Sequence, residues 1–276
     1  MSIRNYEKIR KYENSMQEII KPSTKETPVI SPKAERPPAF PPRHDDAEAN
    51  RRIKKLDIDS VVKNVTSFGD ESKSRVVFEA LARLVIELEK EIPNYDTLLS
   101  DDASGRLVTR FLREVINKKR EAVGKPRVQT YFIAGGWQAL NAEYIQEFIR
   151  QKKSSIHKAL LVTELVGTGE SANRLVKIFE QEGLDFDVAA VTVHLDFLNS
   201  DFIYAEEVGG LVKRLRYGDD RNRAGVSFYD KPFTGVTKRG VTGAHPVKDP
   251  YADRDAMKRA WQDMKLMAEE ISKLIL

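Results

Sequence analysis

The 276-residue chain contains no cysteine, which excludes disulfides, thiolate metal sites and cysteine nucleophiles. It has only 4 histidines, His44, His157, His194 and His245, too few and too scattered for a histidine-rich zinc site. No apolar run approaches the roughly 20 residues needed to span a bilayer. The opening Met1-Ser2-Ile3-Arg4-Asn5-Tyr6-Glu7 has no apolar signal core. The expectation is a cytoplasmic protein with no membrane role. The phosphate-loop pattern Gly-x-x-x-x-Gly-Lys-Ser/Thr, the Gly-x-Ser-x-Gly elbow and His-Glu-x-x-His are all missing. Gly167-Thr168-Gly169 lacks the third glycine of a dinucleotide fingerprint, and no internal repeat is found.

What is present suits a water-exposed α/β protein. At 41% hydrophobic and 32% charged, the chain can bury a full core, and its length fits one large domain or two small ones. The net charge of +4 is unevenly placed. Residues 1–55 hold 13 Lys/Arg against 8 Asp/Glu, which leaves 33 against 34 in the rest. The basic character belongs to the N-terminal segment, so a nucleic-acid-binding face is not indicated by the pI of about 9.0.

Residues 1–20 carry Ile3, Tyr6, Ile9, Tyr12, Met16, Ile19 and Ile20 at three- and four-residue steps. That spacing predicts an amphipathic helical arm, either docked on the body or joining a protein partner or a second copy of the chain. Residues 21–52 read as a disordered proline-rich linker. Pro22, Pro28, Pro32, Pro37, Pro38, Pro41 and Pro42 all fall here, and such a segment cannot continue a helix and has little to bury.

The folded body is expected over residues 53–276. A short helix is predicted over Ile58–Ser67. A long helix follows Gly69, capped by Asp70 or Ser72 and closed by Pro93. Tyr95–Leu99 is a candidate strand. Ser100-Asp101-Asp102-Ala103-Ser104-Gly105-Arg106 then forms a turn into a helix over Leu107–Arg120. Val128–Ala134 is the next strand, ending in Gly135-Gly136, and Trp137, Leu140, Tyr144, Ile145, Phe148 and Ile149 resume helical spacing.

The most informative stretch runs from Lys158 to Gly183. Ala159-Leu160-Leu161-Val162 is an unbroken apolar run, the pattern of a central parallel strand covered on both faces. Thr163 and Glu164 interrupt it, Gly167-Thr168-Gly169-Glu170-Ser171 follows, and Ala172, Leu175, Val176 and Phe179 resume at helical spacing. A strand that turns tightly into a helix aims the first free N–H groups above the sheet edge, where they and the helix dipole favour an anion. Gly167 and Gly169 let the backbone come close, and the Thr168 and Ser171 hydroxyls add donors. Glu164 at the strand's end suits sugar hydroxyls or a metal. A plain strand–turn–helix with packing glycines is the other reading of the same residues.

Downstream, Val188–Leu195 is a strand with His194 and Asp196 at its carboxyl end, where ligands sit in open α/β sheets. Residues 199–250 are broken by seven glycines from Gly209 to Gly243, and no role is assigned there. Asp253–Leu276 closes the chain as an amphipathic helix. The fold class expected is α/β, a mainly parallel sheet flanked by helices.

The stretch Val162–Ser171 resembles the 5-phosphoribosyl diphosphate loop of the type I phosphoribosyltransferases. That pattern is an apolar strand, two acids, two apolar residues, a variable residue that is often acidic, then Thr-Gly-x-Ser/Thr. Glu164 matches the second acid, Leu165 and Val166 the apolar pair, and Thr168-Gly169-Glu170-Ser171 the phosphate cradle. Thr163 stands where the first acid is expected, and Gly167 where many members carry an acid.

The resemblance implies a phosphoribosyltransferase-like fold, covering roughly residues 95–198, and a phosphoribosyl diphosphate or nucleotide ligand. The 5-phosphate would lie on Gly167, Thr168, Gly169, Glu170, Ser171 and Ala172. Glu164 would bind ribose hydroxyls directly or through Mg²⁺, with Asp102 as a second metal ligand. Pyrophosphate would be held by Ser104, Gly105 and Arg106, and Glu164 and Arg106 would be the catalytic pair. The Asp- and Ser-rich start of that second helix equally fits ordinary capping. Two functions follow: a transferase moving the phosphoribosyl group to or from a base, or a module that holds a phosphorylated sugar or nucleotide without turnover.

Overall fold

A computed structural model describes residues 46–133, 142–167, 169–194, 205–219, 236–237, 247–248 and 252–276, with the side chains at 46, 102–104, 205–209, 236–237 and 247–248 left aside. The expectations for the helical arm, for the linker up to residue 45, and for Trp137, Leu140, Thr168 and Asp196 lie outside the described residues.

Described structure begins at Asp46, seven residues ahead of the expected start. Helix α1 (Asp46–Ile53) buries Ala49 and Ile53, and Arg52 Nη1 donates to Glu89 Oε2 at 2.8 Å. The proline-rich composition just upstream conceals this short helix. Helix α2 (Ile58–Asn64) follows. Helix α3 (Glu71–Leu88) is capped by Asp70, whose carboxylate accepts from Lys73 N at 2.9 Å. A 3₁₀ turn at Ile92–Asn94 contains Pro93 and ends the segment.

Five parallel strands then alternate with helices: β1 (Thr97–Asp101), α4 (Asp102–Ala122), β2 (Gln129–Ile133), α5 (Ala142–Lys152), β3 (Ala159–Val166), α6 (Glu170–Gln181), β4 (Phe186–Val193), α7 (Ala205–Arg214) and β5 (Leu215–Asp219). A two-stranded antiparallel ribbon, β6 (Val236–Thr237) with β7 (Val247–Lys248), precedes the last helix, α8 (Arg254–Ile271). The strand order in the main sheet is β2-β1-β3-β4-β5. The α/β class expected from the sequence is the architecture observed.

The middles of the central strands are largely apolar because both sheet faces are covered. Leu98, Leu160, Val162, Ala189 and Val191 point into the layer built by α3, α4 and α8. Leu99, Leu161, Val188 and Ala190 point into the layer built by α5, α6 and α7. β1, β2 and β4 are offset from the expected strands by a residue or two at each end, whereas β3 does not stop at Val162 but continues through Thr163 and Glu164 to Val166. The larger difference is at β1, which runs to Asp101 and passes straight into α4 at Asp102. The Asp- and Ser-rich segment read as a turn is therefore the first turn of a helix, consistent with the preference of those residues for helix starts.

At the amino ends of the strands a polar network holds the sheet to its flanks. Tyr95 is fully buried, and its hydroxyl donates to Asp187 Oδ2 at 2.9 Å. Lys158 Nζ reaches Glu91 Oε2 at 2.7 Å and Asp187 Oδ2 at 3.3 Å. Arg120 donates to the carbonyl oxygens of Pro93, Tyr95 and Pro126.

Candidate functional site

The sheet order brings together the two strand–helix junctions singled out in the sequence. β1 and β3 are neighbours, with Ser100 paired to Val162. From β1 the chain leaves into α4 on one face of the sheet, and from β3 it leaves into α6 on the other. Where successive connections diverge to opposite faces, a crevice opens at the carboxyl ends of the strands, the common ligand position in open α/β sheets. Asp101 at the end of β1 and Val166-Gly167 at the end of β3 flank that crevice.

On the β3 side, burial is tightly graded. Thr163 is 3% exposed and Glu164 6%, whereas Leu165 is 39% exposed. Glu164 is thus a carboxyl group shielded from bulk water, two residues before the end of β3. His194, expected near this rim, is tied in through its backbone: His194 N donates to Val166 O at 3.0 Å.

The cradle itself depends on two glycines in different ways. A β-carbon at Gly167 would meet nothing within 4 Å, so the space above the β3 end is open at this point. Gly169 caps α6 with φ +78°, a left-handed conformation that side-chain-bearing residues rarely adopt. Its carbonyl accepts the first helical bond, from Asn173 N at 2.7 Å. The N–H groups that open α6 have no intrahelical acceptor, as at every helix start. Glu170 is exposed and its carboxylate pairs with Arg174 along the helix, which leaves its backbone N–H as its contribution to an anion site. Ser171 is half-buried. Ala172 packs its methyl group into the core on the α6 side.

On the β1 side the expected pyrophosphate residues separate. Asp102 and Ser104 belong by backbone to the first turn of α4, and their side chains lie outside the described residues. Gly105 lies inside the helix. A β-carbon there would stand 2.6 Å from Val162 O and 3.1 Å from Ser100 Oγ, so this glycine serves the close approach of α4 to β3. The Arg106 guanidinium lies 4.2 Å from the ring centroid of Phe132 on β2, a cation–π contact that directs it toward the sheet edge. The role of Phe132 was not visible in the sequence, where it reads as one more apolar strand residue.

Among the described residues no group of three or more His, Asp or Glu side chains could hold a metal ion. Asp101 and Glu164 are buried carboxyl residues on adjacent strands. Among the described residues neither belongs to a preformed metal cage, and a Mg²⁺ near Glu164 would have to arrive with a ligand that completes its shell with phosphate oxygens and water. A second concavity of about 520 Å³, lined by Asn64, Thr66, Arg259, Gln262, Asp263 and Leu266 among others, involves none of these residues.

No described helix is long and apolar enough to cross a membrane. No family model matches the sequence, and comparison with curated proteins finds no match.

Proposed function

We propose that the chain is a phosphoribosyltransferase-like protein. It would bind phosphoribosyl diphosphate or a nucleotide in the β1/β3 crevice and transfer the phosphoribosyl group to or from a base. The observation that carries this reading is the meeting of the Val162–Ser171 stretch with the start of α4 at the point where the connections diverge. The open space at Gly167 and the left-handed Gly169 support backbone approach to a 5-phosphate.

In this reading the N–H groups of Gly169–Ala172 and the hydroxyls of Thr168 and Ser171 hold the phosphate. Glu164 would orient the ribose hydroxyls and, with Asp102, would hold a Mg²⁺ that supplies charge neutralisation for pyrophosphate. The bond from a base nitrogen to the anomeric carbon forms as the bond from that carbon to pyrophosphate oxygen breaks. The pyrophosphate leaves with the bonding pair. Donors at the start of α4, Arg106 among them, stabilise that departing charge.

The test is pyrophosphate release from phosphoribosyl diphosphate and Mg²⁺ across a panel of bases. The expected result is release with one base class, lost in Glu164→Ala combined with Arg106→Ala. Release unaffected by that double variant would remove these residue roles. A non-catalytic ligand-holding module is the second reading, favoured by Thr163 at the position of the first family acid. It would show binding without release.

A further inference from the structure

We propose that Arg110, with Arg113 on the same face of α4 and Trp261 of α8 beneath it, forms a second anion seat for a multivalent phosphate. This seat is separate from the β1/β3 crevice, does not depend on the transferase reading, and begins with an unusual arginine.

The guanidinium carbon of Arg110 lies 3.6 Å from the ring centroid of Trp261. Its Nε is buried and has no hydrogen-bond partner, and no described carboxylate or carbonyl accepts from its terminal nitrogens. Three other partly buried arginines of the fold are satisfied: Arg52 pairs with Glu89 and donates to Leu274 O, Arg120 donates to three carbonyls, and Arg214 bonds Glu180 and Phe186 O. Leaving the buried Nε–H of Arg110 unmatched is costly.

The charges around Arg110 deepen that cost. Arg106 and Arg113 stand four residues before and three after it, spacings that share one helix face. Burial first, then the charges of Arg113 and Arg106, push the Arg110 guanidinium down to about 10. Glu114 is the acid that opposes this, and it lies 3.5 Å from Arg113. The face therefore holds concentrated positive charge backed by an aromatic plane. A ligand that offsets it must be anionic. Three helical residues rise about 4.5 Å, so a ligand with charge spread over more than one group engages Arg110 and Arg113 together where a single carboxylate does not. Arginine forks match phosphate oxygens in pairs.

Trp261 provides the readout. The chain has 2 tryptophans, and in a Trp137→Phe background emission reports Trp261 alone. Pyrophosphate, inorganic phosphate and chloride are titrated at constant ionic strength into the full chain.

The expected result is a saturable change with pyrophosphate, at least tenfold weaker with phosphate and none with chloride. Arg110→Met should abolish it. Arg110→Lys, which keeps the charge but not the fork, should weaken it about tenfold or more, with circular dichroism showing a folded protein in both. Ser104→Ala, at the pyrophosphate position of the crevice, should leave it unchanged. No saturable change with pyrophosphate, a change that survives Arg110→Met, or one lost in Ser104→Ala overturns the proposal. Failure of the crevice to bind phosphoribosyl diphosphate leaves it standing.

Discussion

Gly105 on α4 and Val162 on β3 approach so closely that a β-carbon on the glycine would lie 2.6 Å from the valine carbonyl oxygen. The obstacle is backbone in the middle of the sheet, which cannot swing aside as a flexible side chain can. Gly105→Ala should therefore push α4 off β3 and cost on the order of 1–3 kcal/mol, the usual range for overpacking. A urea unfolding midpoint measures this. An unchanged midpoint would mean that α4 has room to move. The same substitution should weaken ligand binding in the crevice, because the start of α4 forms one of its walls.

The two cradle glycines should respond in opposite ways. Gly169 sits at φ +78°, so Gly169→Ala should destabilise by about 1 kcal/mol from backbone strain and disturb the start of α6. Gly167 faces open space, so Gly167→Asp should leave stability within about 0.5 kcal/mol. It restores the acid that many phosphoribosyltransferases carry there. Thermal denaturation of both variants side by side checks the contrast.

Asp263 on α8 is buried, and its Oδ2 accepts from Thr66 N at 3.0 Å and Ser67 N at 2.9 Å. It anchors the loop after α2 to the closing helix. Asp263→Ala removes a charged acceptor from two backbone donors and should cost about 1.5–3 kcal/mol. Asp263→Asn, which retains one oxygen, should recover part of that loss in the same denaturation assay.

The network at the amino ends of the strands predicts a pH response. Its hydrogen bond to Lys158 first, then that to Asn94, hold the Glu91 carboxyl below its ordinary range. Burial alone would lower Lys158, but its hydrogen bond to Glu91 and the charge of Asp187 outweigh that and raise it. A lowered acid contributes stability that is present above its ordinary value and lost as pH falls through the folded one. A raised base contributes stability that is lost only as pH climbs through its raised value. Lys158→Met removes the shared partner. It should lower stability at neutral pH and flatten the stability profile at both the acid and alkaline ends. Tyr95→Phe takes away one donor to Asp187 while Lys158 remains, and should cost about 1 kcal/mol.

The central strands were legible because β1, β3 and β4 are buried on both faces and carry near-continuous apolar residues. The strand–turn–helix at Ala159–Gln181 was legible because Gly167 and Gly169 precede a helix start closely after such a run. β5 was hidden by its own contacts. Leu215–Asp219 contains Arg216 and Gly218, and a glycine ordinarily reads as a break. Here a β-carbon at 218 would stand 2.0 Å from Ala80 O, so the residue is required by the packing of α3 on the strand. Gly105 misled for the same reason: a glycine needed by tertiary contact looks like a glycine needed by a turn. The Arg106–Phe132 and Arg110–Trp261 stacks join elements distant in the chain, and a single sequence has no local pattern for such pairs.

Titration calorimetry with phosphoribosyl diphosphate and Mg²⁺, on the Arg110→Met protein with and without Ser171→Ala, tests the crevice most directly. The expected result is saturable one-site heat in the crevice that weakens at least tenfold with Ser171→Ala and requires Mg²⁺. Absence of saturable heat at millimolar ligand, or identical titrations for both proteins, would contradict a phosphoribosyl site at the head of α6.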